Sequence, residues 1–106
     1  MKKTVKAKVV WTSPEEGGRK LISPEFKYTI PSYFEDEAGK RPKGVWSLVV
    51  EPAEAPNESM ETMARVWFLF GNEPLAPNHL LHPGSRFELR DGVTTVAKGE
   101  VLDEGA

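Results

Sequence analysis

The chain has 106 residues, of which 39% are hydrophobic and 28% charged, a size and balance suited to one folded domain around a single core (residues 1–106, core about 5–102). It contains no cysteine, which excludes disulfide scaffolds, thiol nucleophiles and thiolate metal sites. Fourteen Lys/Arg against sixteen Asp/Glu give −2 overall, but the halves differ: residues 1–45 carry ten basic and six acidic side chains (+4), residues 46–106 four and ten (−6). A positive face for phosphate or an acidic partner follows only if the fold keeps the halves apart; strands that interleave would mix the charges. No apolar stretch nears the roughly 20 residues of a membrane helix. Lys6 and Lys8 interrupt the run that would have to follow the basic start in an export signal. The expectation is a soluble, cytoplasmic domain that does not engage a membrane.

Val5, Ala7, Val9 and Trp11 recur at period two with Lys6 and Lys8 between them, which predicts a half-buried strand. Ser13-Pro14-Glu15-Glu16-Gly17-Gly18-Arg19 breaks it with a tight or protruding turn. Residues 26–34 are rich in aromatic and β-branched side chains around Pro31, which predicts a strand that lies on an edge or bends at the proline. Gly39 and Pro42 mark a charged loop, Val45–Val50 a compact strand, and Glu51–Asn57 a polar connection. Met63–Phe70 is the strongest apolar run and favours a strand, whereas Gly71–Gly84, with three prolines, predicts an irregular excursion. Two last runs, Arg86–Arg90 and Val93–Ala97, flank Asp91-Gly92, a strong hairpin signal. Six strands without an amphipathic helix predict an all-β protein, a sandwich or a barrel; inward Trp11, Trp46, Trp67, Phe68 or Phe70, and Phe87 would fill a small barrel, whose closure would also remove exposed edges.

Two stretches resemble a known family. Val9-Val10-Trp11-Thr12-Ser13-Pro14-Glu15-Glu16-Gly17-Gly18-Arg19 is similar to the opening of the C-terminal (third) β-barrel domain of elongation factor Tu and related translation factors, where a first strand leads into an acidic-Glu-Gly-Gly-Arg turn. Pro83-Gly84-Ser85-Arg86-Phe87-Glu88-Leu89-Arg90-Asp91-Gly92, with Thr95-Val96-Ala97-Lys98-Gly99-Glu100-Val101, resembles that domain's closing hairpin. The ordered pair spans residues 5–102. The resemblance implies a closed six-stranded Greek-key barrel that binds and does not catalyse. In the parent factor this domain packs against the GTPase domain, touches the T-stem of tRNA and helps receive the nucleotide-exchange factor. By position the tRNA-contacting turn falls on Arg19 and Lys20. The departures lie on the cationic surface: Tyr28-Thr29-Ile30-Pro31-Ser32-Tyr33 lacks the family's Arg, and Gly92-Val93-Thr94-Thr95-Val96 has lost a further glycine and Arg.

Arg19 and Lys20 at a turn tip, helped by Lys40, Arg41 and Lys43, are the candidate RNA or phosphate contacts; an exposed turn solvated by its own charges is the plainer alternative. Tyr28, Tyr33 and Phe34 are the candidate protein-interaction residues, although strand aromatics more often fill a core. His79 and His82 make a His-x-x-His pair without the third ligand a metal needs, so no metal and no cofactor is expected. Gly17-Gly18-Arg19-Lys20 has neither the spacing nor the hydroxyl of a phosphate-binding loop, which argues against a GTPase and against nucleotide binding. Glu15-Glu16 and Glu35-Asp36-Glu37 fall in turns, a poor setting for acid–base catalysis, and no enzyme is expected. The leading expectation is a non-catalytic module with a protein partner. An accessory RNA-binding protein of tRNA type is the alternative, and a small-ligand barrel or hydrolase the distant one.

Overall fold

A computed structural model describes residues 3–17, 22–34 and 46–103. Six antiparallel strands carry the fold: β1 (Val5–Trp11), β2 (Tyr28–Phe34), β3 (Trp46–Pro52), β4 (Glu61–Phe68), β5 (Arg86–Asp91) and β6 (Thr94–Asp103). They close into a barrel in the order β1-β4-β3-β2-β5-β6, and β6 pairs back onto β1. β2, β3 and β4 form a meander; β1 lies beside its last strand and β5 beside its first, so two Greek keys share the same three strands. The six strands expected from the apolar runs form an all-β closed barrel, with the Greek-key order that the resemblance implied. Short 3₁₀ turns occupy Pro14–Glu16 and Asn78–Leu80. Among the described residues no helix is long and apolar enough to cross a membrane.

Strict alternation builds the core. Val5, Ala7, Val9 and Trp11 of β1 point inward opposite Thr62, Ala64 and Val66 of β4, and Lys6, Lys8 and Val10 stay outside. Each fully buried aliphatic or phenylalanine side chain stabilises the fold by about 1.5–3 kcal/mol. An aromatic column fills the centre: Phe34 lies 5.0 Å from Phe87 and 5.6 Å from Phe68, and Trp46 meets Phe68 edge-on at 6.5 Å. Gly99 completes this packing, because a Cβ there would overlap the Phe87 ring.

Several expectations change once the strands pair. Trp67 faces outward and Phe70 lies 60% exposed beyond the end of β4, which runs from Glu61 and stops at Phe68. The register that buries Thr62, Ala64, Val66 and Phe68 must turn Trp67 out, since neighbours on a strand point to opposite faces. β2 begins only at Tyr28 and leaves Phe26 exposed. Pro31 is tolerated by its register. The Ser47 carbonyl accepts from Leu69 on the β4 side, so the Pro31–Ser47 pair makes no ladder bond and the proline nitrogen faces β5. The ladder to β5 starts at Ser32. The proline-rich excursion after β4 is irregular, but Leu80 and Leu81 turn into the core and anchor it. The final hairpin turns through Gly92-Val93, with Gly92 at φ 66° in the first central position, the pattern of a type II′ turn.

Candidate functional site

The candidate RNA residues Arg19, Lys20, Lys40, Arg41 and Lys43 lie outside the described residues. Of the three candidate interaction residues, Phe34 is 2% exposed between Phe68 and Phe87 and belongs to the core, where no partner can reach it. This corrects its candidacy as a surface contact: its strand position shares the inward face with Ile30 and Ser32. Tyr28 is half-buried, meets Trp11 edge-on at 5.5 Å, and accepts a 2.8 Å hydrogen bond from the Ser23 N–H at its hydroxyl. Its role is to close the barrel end. Tyr33 alone of the three sits on the outer face, under the Arg90 guanidinium at 4.8 Å, while Arg90 donates through Nε and Nη2 to Glu88.

The two histidines do not form a common site. His79 is exposed on the Asn78–Leu80 turn, whereas His82 Nε2 meets the Ser85 hydroxyl and Nδ1 the Pro83 carbonyl, both at 3.1 Å. Among the described residues no three His, Asp or Glu side chains gather as metal ligands. Glu15 and Glu16 are exposed on the Pro14–Glu16 turn, and Glu35-Asp36-Glu37 lies outside the described residues. Asn57 works locally, its Oδ1 accepting from the Ser59 and Glu61 N–H groups to close the connection between β3 and β4.

Charge is interleaved on the described outer surface. Lys6 stands beside Asp103 and Lys8 beside Glu100, and Arg86 and Arg90 reach Glu100 and Glu88 at 3.4 and 2.7 Å. Arg65 and Lys27 share Glu51 in the same way. Lys6 and Lys8 of β1 are the charges of the first-half strands, and β1 lies between β4 and β6 of the second half, so the two halves mix across the sheet.

Two surface features stand apart from that lattice, at opposite ends of β4. At its C-terminal end Trp67 and Leu69 are successive outward positions, because the Leu69 N–H continues the ladder to Ser47. Trp67 pairs with Val49, an outward residue that is nevertheless only 5% exposed, and the Lys27 ammonium sits 5.8 Å above the indole. Leu69 and Phe70 extend this apolar cluster into solvent, 44% and 60% exposed, with Leu75 farther along the same loop. At the other end, where β1 finishes, an open cleft of about 520 Å³ lies between Val10, Trp11 and Met60, with Glu16 and Lys98 at its walls. For the first feature the sequence supplies only the period-two parity of the Met63–Phe70 run, and pairing with β1 and β3 decides which parity faces out. The cleft has no sequence signal, since its walls come from residues 10–16, 59–60 and 98.

No known family model matches the chain, and no curated protein matches it significantly. The likeness to the elongation factor Tu domain therefore rests on the two residue patterns alone.

Proposed function

We propose that this chain is a non-catalytic binding module of the elongation factor Tu C-terminal-domain type, and that it docks on a protein partner through the end of β4. The observation that carries this reading is the outward cluster of Trp67, Leu69 and Phe70 on the flank of a filled barrel. Contiguous apolar side chains left at the surface mark interaction sites more often than chance exposure does, and aromatic anchors supply most of the energy where they are desolvated. Lys27 over Trp67 and the Arg65–Glu51 pair at 2.8 Å form a polar margin next to the cluster, as at the rim of an interface. The same geometry argues against catalysis in the barrel interior, which is packed with side chains.

The test is capture from native lysate by the wild-type chain and by a Trp67→Asp, Phe70→Asp double variant, each with and without ribonuclease. Docking predicts a protein that survives ribonuclease and is lost from the double variant, while the variant's thermal unfolding stays close to wild type. Recovery of tRNA that disappears with ribonuclease, equal in both forms and steeply salt-dependent, would replace this reading with the RNA-binding one.

A further inference from the structure

The strand register sorts the outer surface into rows, and two adjacent rows on β2, β3 and β4 carry no charge. One row is Thr29, Val49 and Trp67; the next is Pro31, Ser47 and Leu69. On the rest of the described barrel the outward residues are largely charged, among them Lys6 and Lys8 of β1, Glu88 of β5, and Lys98 and Glu100 of β6. Charge returns on β3 and β4 one row before Val49 and Trp67, where Glu51 pairs with Arg65. Within these three rows β3 and β4 are opposites. β3 offers Glu51, Val49 and Ser47, whereas β4 offers Arg65, Trp67 and Leu69. One strand is acidic and then small, the other basic and then large. The relief rises in the same direction, from Val49 at 5% exposure to Leu69 at 44%.

A two-fold axis that runs along the strands between β3 and β4 lays β4 of one copy on β3 of another. It exchanges the members of every cross-strand pair, so Arg65 meets the Glu51 of a second copy, Trp67 its Val49 and Leu69 its Ser47. Opposite charges and unequal sizes are matched by the same operation. We propose that this face binds a second copy of the chain, as a weak isologous dimer in which two sheets pack face to face. The inference rests on the docking reading of the end of β4 and names the partner. Sheets packed this way keep their strands within about 30° of each other, which an axis along the strands provides. An apolar patch by itself suits many partners; unlike residues paired in three successive rows are what make the contact self-complementary. The six uncharged positions cover about 200 Å² of sheet at ordinary strand spacing. A standard interface takes roughly 800 Å² per copy, so a dissociation constant above about 1 μM is expected. Lys6 and Lys27, which flank the Glu51–Arg65 row, come to the same side of the axis and weaken it further.

Sedimentation equilibrium of the wild-type chain between about 10 μM and about 1 mM should show a reversible monomer–dimer equilibrium. Trp67→Asp should weaken the dimer about tenfold or more, as loss of a central aromatic anchor does. Glu51→Arg and Arg65→Glu should each weaken it alone, and an equimolar mixture of the two variants should dimerise, because every charge pair across the axis is then opposite. In a mixture of isotope-labelled and unlabelled wild-type chains, filtered nuclear Overhauser contacts should join the Trp67 ring of one copy to the Val49 methyls of the other. That measurement needs no variant to fold. A wild-type chain that stays monomeric at about 1 mM, or a dimer that survives Trp67→Asp, overturns the proposal. The docking reading would then still stand if a different protein is captured by the wild type and lost from the Trp67, Phe70 double variant, and would fall as well if none is captured.

Discussion

At the residue scale the barrel turns on a few side chains that have no substitute. Gly99 is one: its missing Cβ is the space into which the Phe87 ring packs, and that ring is held from the other side by Phe34. Gly99→Ala is expected to lower stability by about 1–3 kcal/mol, seen as a fall in the urea midpoint at unchanged slope. In a Phe87→Ala background the same change should cost little, and equal losses in both backgrounds would show that the contact is not the cause. Phe34, suspected on sequence as a surface contact, is the centre of the aromatic column, and Phe34→Ala is expected to cost about 3–5 kcal/mol in the same measurement. The sequence around it names an aromatic strand. Only burial on both flanks decides that this aromatic is core and Tyr33, one residue earlier, is not.

Among the elements, local signals were legible wherever they repeat. The alternation in β1, the Asp91-Gly92 turn and the strand-rich runs all reappear in the fold with ends shifted by a few residues. Gly92 at φ 66° sits in a conformation that costs other residues about 1–2 kcal/mol, so Gly92→Ala should destabilise by that amount without altering the β5–β6 register. Denaturant unfolding together with cross-strand nuclear Overhauser contacts between Asp91 and Thr94 would test both halves of that statement. β4 shows where element-level inference failed. Its apolar run contains Trp67, Phe68, Leu69 and Phe70 in succession, and composition alone does not say which parity goes inside. Pairing with β1 at Val5–Val66 and with β3 at Leu48–Phe68 settles it within the strand, placing Val66 and Phe68 in the core and Trp67 on the surface, while Phe70 lies beyond the strand end in solvent.

For the whole molecule, closure is the decisive event. β6 pairs with both β1 and β5, so the barrel has no independent half: the first strand of the chain is completed only by the last. A chain truncated before Thr94 is expected to lose its cooperative unfolding transition and the dispersed amide spectrum of the folded state, rather than retain a five-stranded remnant. Native-like dispersion in the truncated chain would show that the meander and its neighbours fold without closure. Closure also explains the surface. Because β1 is set between strands of the second half, Lys6 and Lys8 stand beside Asp103 and Glu100, and the described outer face mixes the two signs of charge. Binding to a partner through Trp67 and Phe70 should accordingly weaken little between low and physiological salt, in contrast to the steep loss expected of a phosphate-binding face.

The sequence by itself determined the class of fold, the number of strands, the absence of thiol chemistry and the hairpin, because these depend on composition and on periodicities that operate over a few neighbouring residues. Tertiary structure alone decided which aromatic residues face solvent and which residues share a cleft. The outward cluster follows from a choice of register that two neighbouring strands impose on β4. The cleft joins Trp11, Glu16, Met60 and Lys98 across more than eighty positions of chain, a proximity created by closing β6 onto β1 and by the turn that brings Met60 to the Trp11 backbone. No pattern local to any of those segments carries that information.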